Sequence, residues 1–231
     1  MNKYNRRFDG GQRAAMTALI FDMDGVLVDS EPLHYEACRR VVEPFGVDLS
    51  VKEFTALWLG HSRGLREGLK RHKVPLSLEE ARRRKHAFFV ELARKQLTVR
   101  PGVRALLRAT EHLPRAVATS SGWEMIDTIL GLTGLRENFS VIVSGLDLLR
   151  GKPAPDIFLE AARCLGVPPE TCIVFEDARP GLLAAKAAGM RCVVVPTQFT
   201  RHQDFSPADL VVNRLDDPQV LAFINQDSGQ P

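Results

Sequence analysis

The chain has 231 residues, of which 45% are hydrophobic and 26% charged, and its formal net charge is +3. This composition is typical of a soluble globular protein, and so small a charge gives no reason to expect nucleic acid or an anionic membrane as a partner. No apolar run approaches the roughly 20 residues that span a bilayer, and residues 1–16 lack the apolar region of a secretory signal. We therefore expect a cytoplasmic protein with a flexible extension over residues 1–16 and dispersed, unpaired cysteines.

Short apolar or β-branched runs alternate with amphipathic helical stretches along most of the chain. The runs are residues 19–21, 116–119, 141–144, 172–175 and 192–195, and the helical stretches lie near 102–111, 123–132, 155–165 and 179–188. Nearly continuous apolar strands that alternate with helices are typical of a parallel sheet covered on both faces. The sequence therefore predicts an α/β fold with a doubly wound, Rossmann-like sheet.

Residues 31–98 interrupt this alternation, because they carry helical patterns and no convincing strand. One apolar stripe with four-residue spacing consists of Leu33, Ala37, Val41 and Phe45. Two pairs have the spacing of a capping box, which begins a helix: Ser50 with Glu53, and Ser77 with Glu80. Such stripes and boxes indicate amphipathic helices. We predict a helical insert over 31–98 within a core that comprises 17–30 and 99–231.

Polar side chains follow the predicted strands or lie in adjoining loops. In chain order they are Asp22, Asp24, Thr119, Ser120, Ser121, Lys152, Glu176 and Asp177. Ligands of doubly wound sheets bind at the carboxyl ends of the strands, so these side chains should meet at one edge. Carboxylates at this density favour a hard cation such as Mg²⁺, and hydroxyls with a lysine suit a phosphate. The pattern predicts phosphoryl transfer.

These residues resemble the four-motif signature of the haloacid dehalogenase superfamily. The motifs are Asp22-Met23-Asp24-Gly25-Val26, Thr119-Ser120, Lys152-Pro153 and Glu176-Asp177, in an order that holds from about residue 17 to 215. A helical insert directly after the first motif is similar to what that family calls a small cap domain. The resemblance implies an enzyme, a phosphatase, whose cap domain over 31–98 overhangs the site.

The resemblance also implies roles for the acidic residues. Asp22 would attack phosphorus and form an aspartyl-phosphate. Asp24 would protonate the leaving oxygen and later deprotonate the hydrolytic water. A carboxylate oxygen of Asp22, the backbone carbonyl of Asp24 and the side chain of Asp177 would hold Mg²⁺, and Glu176 is a further candidate ligand.

The remaining core motifs imply a cradle for the transferring phosphoryl group. Thr119 and Lys152 would bind its equatorial oxygens, and Ser120 would contribute mainly through its backbone amide. Asp29 follows the first motif, and two alternatives stay open for it. It is either a structural carboxylate at a hinge or helix start, or a residue with a chemical role in the site.

The segments DSEPLHYEA (29–37) and GHSRG (60–64) are most similar to the β-phosphoglucomutase-like branch of that superfamily. In that branch His34 matches a cap-linker histidine that helps to time the acid–base residue, and Arg63 matches a cap arginine that binds the substrate's second phosphate. Structural alternatives stay open, since His34 could cap or pack against the linker helix and Arg63 could be a solvated loop residue.

At one position the sequence departs from the pattern of the mutases in that branch, and this departure favours a phosphatase. The mutases of that branch carry Lys-Asn after the serine pair, whereas Gly122-Trp123 follows Ser121 here. Losing that cation should weaken retention of a bisphosphate intermediate, which a mutase needs. We therefore expect hydrolysis of a small phosphorylated metabolite (a sugar phosphate or a nucleotide or nucleoside phosphate), with a sugar phosphate mutase as the alternative. Ser121 and Trp123 would contact the substrate, or Trp123 would pack against the insert.

Two further expectations concern classes of partner. A receiver-like phosphoacceptor domain is the less favoured third hypothesis, because the candidate nucleophile ends the first strand and an insert follows it. The basic run over residues 82–86 shares its helix with apolar residues, which predicts a solvated face without a role in nucleic-acid binding. We expect a monomer.

Overall fold

The structure is a computed structural model that describes residues 16–58 and 64–226. The predicted N-terminal extension, up to residue 15, and the candidate residue Arg63 lie outside these ranges. Six parallel strands form one sheet in the order β3-β2-β1-β4-β5-β6. They are β1 (Ala18–Phe21), β2 (Arg115–Thr119), β3 (Val141–Ser144), β4 (Cys172–Glu176), β5 (Arg191–Val194) and β6 (Leu210–Val211). The predicted parallel α/β sheet is confirmed, with β6 added.

Helices cover both faces of the sheet. They are α5 (Val103–Ala109), α6 (Trp123–Thr133), α7 (Asp156–Leu165), α8 (Arg179–Ala187) and α9 (Pro218–Asn225). Successive strand residues point to opposite faces. Leu19 and Phe21 consequently pack in the apolar cluster that contains α5, α6 and α9, whereas Ala18 and Ile20 pack in the one that contains α7 and α8. The central strands are therefore apolar on both sides.

The described part of the insert contains helices and no strand. Its helices are α1 (Glu31–Val42), α2 (Val51–Glu53), α3 (Gly64–Arg71) and α4 (Leu78–Gln96). The Ser50 and Ser77 hydroxyls accept hydrogen bonds from the backbone N–H groups of Glu53 and Glu80, so both predicted helix starts are confirmed. The insert has its own apolar cluster, composed of Cys38, Val41, Val42, Leu49, Phe54, Leu69, Val74 and Ala81.

The predicted apolar stripe of α1 ends earlier than its spacing suggests. The helix ends at Val42, and residues 43–45 form a 3₁₀ turn. Pro44 has no N–H to continue the helical hydrogen bonds, and Gly46 adopts φ of 75°, which favours glycine. Phe45 is consequently 36% exposed rather than part of the stripe.

The two segments that join the insert to the sheet run beside each other. Val28 forms an antiparallel bridge with Val99, and the backbone N–H of Asp29 donates to the Thr98 carbonyl over 3.0 Å. The Asp29 side chain is exposed. Since α1 and α4 also contribute residues to the apolar cluster of the sheet, the division into two domains stays a prediction. No helix in the described ranges is long and apolar enough to cross a membrane.

Candidate active site

The carboxyl ends of the strands and the insert line an open cavity of about 820 Å³. Every predicted site residue that the structure describes lines this cavity: Asp22, Asp24, His34, Thr119, Ser120, Ser121, Trp123, Lys152, Glu176 and Asp177. These side chains come from positions up to 155 residues apart in sequence. Their convergence follows from the parallel sheet, which brings the ends of β1, β2 and β4 to one edge.

Lys152 lies between two buried carboxylates. Its Nζ is 2.5 Å from Asp22 Oδ1 and 2.5 Å from Glu176 Oε1, and its side chain is 8% exposed. Burial alone would lower the pKa of Lys152, but the two carboxylates raise it above its usual value. Burial raises the pKa of Asp22 to about 8, and repulsion from Glu176 and Asp24 adds to the effect, even though Lys152 opposes it. The single positive charge of Lys152 is thus too small to neutralise both Asp22 and Glu176 when these two groups are ionised.

Glu176 is held in place by hydrogen bonds at both carboxylate oxygens. Oε1 accepts from Lys152, and Oε2 accepts from the backbone N–H groups of Asp177 (3.1 Å) and Ala178 (3.4 Å). A Cβ on Gly181 would lie 1.9 Å from the Glu176 carboxyl carbon, so this glycine leaves the space that Glu176 occupies. The arrangement differs from that of a free metal ligand and favours a role in positioning Lys152.

Asp24 accepts hydrogen bonds from several side chains. Ser30 Oγ lies at 2.6 Å and His34 Nε2 at 3.0 Å from Oδ1, while Ser121 Oγ lies at 2.8 Å and Thr119 Oγ1 at 3.4 Å from Oδ2. Burial alone would raise the pKa of Asp24, but these bonds, with His34 first among them, hold it well below its usual value. Asp24 is therefore ionised in this state, and the Ser121 hydroxyl, which also lines the cavity, donates to it.

His34 links the first helix of the insert to Asp24. Burial lowers the pKa of His34, and the nearby Lys85 ammonium lowers it further, which favours the neutral ring. The neutral tautomer with a proton on Nε2 donates to Asp24, and the ring also stacks on Phe89 with centroids 4.5 Å apart. Both the functional and the packing hypothesis for His34 thus find a contact in the structure.

Glu31, a residue that the sequence analysis did not single out, completes the acidic cluster. It is 2% exposed, lines the cavity, and accepts a hydrogen bond at Oε1 from Thr197 Oγ1 over 3.0 Å. Burial raises the pKa of Glu31 to about 7. Burial and then repulsion from Glu31 raise the pKa of Asp177 well above its usual value. In the sequence, a glutamate at the start of a helix predicts only a favourable charge near the helix dipole.

When its carboxyl groups are ionised, the cluster as a whole has an excess of negative charge. Its carboxylates are Asp22, Asp24, Glu31, Glu176 and Asp177, and Lys152 lies buried among them. No three His, Cys, Asp or Glu side chains of the described ranges converge as a complete metal site. Asp177 nevertheless fits against a glycine cradle: Gly25 has φ of 80°, and a Cβ there would lie 2.7 Å from the Asp177 carboxyl. Buried oxygen donors in excess of cations suit a divalent cation such as Mg²⁺.

A family model described as haloacid dehalogenase-like hydrolase matches residues 16–189. The chain belongs to this family of hydrolases. Hexitol phosphatase B of Escherichia coli (strain K12) is 34% identical over 204 residues, which are 86% of this chain and 92% of that relative. Membership confirms the superfamily that the four motifs predicted.

Solved structures agree with this assignment. CbbY from Rhodobacter sphaeroides in complex with phosphate is 32% identical, with a TM-score of 0.82 over 91% of this chain and 99% of that one. A mutant of CbbY in complex with xylulose-(1,5)bisphosphate is 32% identical, with a TM-score of 0.80 over 87% of this chain and 96% of that one. A β-phosphoglucomutase from Clostridium difficile is 27% identical, with a TM-score of 0.78 over 92% of this chain and 97% of that one. These neighbours support the predicted β-phosphoglucomutase-like branch.

In this hydrolase the basic run of α4 is exposed at Arg82, Arg83 and Arg84, as predicted, but part of the run also forms the wall of the cavity, which was not predicted. Arg83 and Arg84 pair with Glu80 at the surface, but Arg82, Lys85 and His86 line the cavity. They were missed because a helix of about 3.6 residues per turn directs neighbouring side chains to different sides, and the sequence does not show which side faces the core.

Trp123 is the first residue of α6 and borders the same cavity. Its indole Nε1 donates to Asp147 Oδ2 over 2.9 Å, and the ring packs against the apolar cluster of the sheet. The ring is therefore fixed at the wall of the cavity beside Gly122, in the place where the mutases of the branch are expected to carry a cation.

Proposed function

We propose that the protein is a Mg²⁺-dependent phosphatase that hydrolyses a small phosphorylated sugar through an aspartyl-phosphate on Asp22. The observation that carries the proposal is the Asp22 carboxylate beside Lys152 in a cavity that Thr119 and Ser120 also line. A carboxylate nucleophile divides one difficult displacement into two easier ones. The names of hexitol phosphatase B and of the CbbY complex with a sugar bisphosphate support the class of substrate.

In the first step, Asp22 attacks phosphorus while Lys152 and the Thr119 hydroxyl bind the phosphoryl oxygens. Thr119 Oγ1 is only weakly engaged with Asp24, at 3.4 Å, so it is available to a phosphate. The ammonium of Lys152 stabilises charge on the phosphoryl group, and Glu176 keeps the lysine in position. Stabilisation of this kind accounts for most of the rate in phosphoryl transfer.

Asp24 moves protons in both steps. It is ionised in the free enzyme, and a dianionic phosphate bound beside it should raise its pKa, since like charges disfavour ionisation, so that Asp24 takes up a proton from solvent or from the substrate phosphate as the substrate binds. The protonated carboxyl then donates to the leaving oxygen, and the resulting carboxylate accepts a proton from the water that attacks the aspartyl-phosphate. His34, Ser30 and Ser121 hold the carboxylate between the two steps.

Asp22, the backbone carbonyl of Asp24 and Asp177 would hold Mg²⁺. When bound, the cation neutralises carboxylates and transferring phosphoryl oxygens and orients the group for displacement. The close contact of Asp177 with Gly25 supports this role, because glycine has no Cβ to fill the space that the Asp177 carboxyl occupies and it tolerates φ of 80°.

The alternative is a sugar phosphate mutase. The cations on the insert wall, Arg66, Arg82 and Lys85, favour it because they could bind a second phosphate. Gly122 and the packed indole of Trp123 favour the phosphatase, because no cation stands at that position of the core. Hydrolysis also needs no retention of a bisphosphate, and we therefore infer the phosphatase.

The test is release of inorganic phosphate from a panel of hexose, pentose, hexitol and nucleoside phosphates, with Mg²⁺ or with EDTA. We expect metal-dependent release that is lost in Asp22→Asn and retained in Asp29→Asn, whose exposed side chain makes it a matched control. The panel includes β-glucose 1-phosphate with a trace of glucose 1,6-bisphosphate. Formation of glucose 6-phosphate without phosphate release would establish the mutase instead.

A further inference from the structure

We propose that Glu31 positions the Mg²⁺ site from the side of the insert, by accepting a hydrogen bond from a water molecule on the metal beside Asp177. The inference rests on the proposed function, since it concerns the same metal. It assigns a role to a side chain that lies outside the four motifs and that occupies the first position of α1.

The Glu31 carboxylate is incompletely paired. Oε1 accepts from Thr197, whereas Oε2 is buried with no hydrogen-bond partner. A carboxylate oxygen in a site that excludes water costs free energy unless a donor or a cation compensates it. The Arg100 guanidinium acts on Glu31 at a distance, without a hydrogen bond to Oε2. An unsatisfied acceptor at this depth points to a donor that arrives with a ligand.

The place of Glu31 identifies that ligand. Its carboxylate is a direct neighbour of Asp177: repulsion from Glu31 raises the pKa of Asp177, and a hydrogen bond from Asp177, when that group is protonated, lowers the pKa of Glu31. Both residues line the cavity. Two neighbouring carboxylates repel each other until a cation lies beside them. Mg²⁺ keeps several of its waters when it binds to proteins, and each water carries hydrogens that need acceptors. Glu31 Oε2 is a buried acceptor that becomes available to such a water once Asp177 is ionised beside the metal.

Glu31 also connects three parts of the fold. The preceding residue, Ser30, donates to Asp24, Glu31 itself begins α1, and its partner Thr197 follows β5. A charge that served only the dipole of α1 would be solvated at the helix start, whereas Glu31 is 2% exposed. The burial is explained if the carboxylate serves the metal site.

The experiment compares wild type with Glu31→Gln and uses Mn²⁺ as a probe. Mn²⁺ binding is followed by electron paramagnetic resonance, with Mg²⁺ as competitor, and the melting temperature of the metal-free protein is measured in parallel. We expect affinity to fall about 10–100-fold, as for other outer partners of metal ligands. The metal-free melting temperature should be unchanged or higher, because the amide can donate to Asp177 where the carboxylate repels it.

Two variants complete the design. Glu43→Gln removes the same charge at an exposed position near the end of α1, where Glu43 pairs with Arg39, and it should leave affinity unchanged. Asp177→Asn should abolish binding. A Glu31→Gln protein with a lower metal-free melting temperature and wild-type Mn²⁺ affinity would overturn the inference in favour of a purely structural role.

The same titration separates the two proposals. If wild type binds Mn²⁺, Asp177→Asn does not, and Glu31→Gln binds as tightly as wild type, the inference fails and the proposed metal site stands. If wild type binds no Mn²⁺ or Mg²⁺, the metal-dependent part of the proposed function and the role of Glu31 fail together.

Discussion

The two sides of the acidic cluster differ in how their charge is compensated. On one side, Lys152 lies 2.5 Å from both Asp22 and Glu176. On the other side, Glu31 and Asp177 face each other, and the hydrogen bond to Glu31 Oε1 comes from a neutral hydroxyl. The Lys152 ammonium is part of the chain and therefore keeps its two carboxylates in place whether or not a ligand is present. Among the described residues, Glu31 and Asp177 have no such cation between them, so their ionised forms depend on a bound one. The protein therefore compensates the charge of Asp22 and Glu176 with its own lysine, whereas the charge of Glu31 and Asp177 requires a bound cation.

Displacing Glu176 should disrupt the Asp22–Lys152–Glu176 group, and we expect this change to have the largest effect on activity. In Gly181→Ala the new Cβ would overlap the Glu176 carboxyl, which must then move and draw Lys152 away from Asp22. We expect kcat for phosphate release to fall about 100-fold, because a misplacement of about 1 Å costs this much in an oriented site. Steady-state kinetics on the best substrate of the panel measures it.

The matched control is Gly131→Ala in α6. Nothing lies within 4 Å of a Cβ at that position, so alanine should be accommodated with unchanged kcat and slightly higher stability. Wild-type kcat in Gly181→Ala, together with an intact fold by circular dichroism, would show that Glu176 does not control the lysine.

The dependence of stability on pH tests the charge balance of the acidic cluster. The pKa of Asp22 is about 8 and that of Glu31 about 7 in the folded, metal-free protein, both above their unfolded values of 3.8 and 4.5. Between these limits the folded state binds more protons than the unfolded state, so the free energy of unfolding should fall as the pH rises from about 5 to about 8.5. Differential scanning fluorimetry in EDTA measures this fall.

Addition of Mg²⁺ should reduce that slope, because a cation stabilises the ionised carboxylates of the folded state. The gain in melting temperature on adding Mg²⁺ should accordingly be larger at pH 8 than at pH 5. A metal-free melting temperature that rises steadily from pH 5 to pH 8.5 would contradict the charge imbalance described for this cluster.

The smallest expected effect concerns the insert wall, whose cations face the cavity. Arg82→Gln should raise KM about 3–10-fold, with kcat nearly unchanged, for a substrate that carries a second anionic group, since an exposed charge contributes about 1 kcal/mol at most. Arg83→Gln is its neighbour on α4, pairs with Glu80 and removes the same charge away from the cavity. Equal KM values for both variants would assign no substrate contact to Arg82.

Periodicity and motif spacing predicted five of the six strands, the helix starts at Ser50 and Ser77, and the core motif residues that line the cavity. Ser50 and Ser77 begin helices because their hydroxyls bind nearby backbone N–H groups, which is a local interaction. The end of α1 was misjudged because the stripe to Phe45 ignored the local effect of Pro44. β6 was missed because its two residues, Leu210 and Val211, carry no pattern.

The sequence by itself determined which residues meet at the carboxyl edge of the sheet, because Asp22, Thr119 and Glu176 end strands or follow them directly and parallel strands end together. Only the tertiary structure decided that Ser121 serves Asp24, that Glu176 holds Lys152, and that Glu31 enters the cluster. These contacts join segments far apart in the chain, and they depend on side-chain directions within a packed interior. Hydrogen bonding and charge balance at that range follow from the assembled fold.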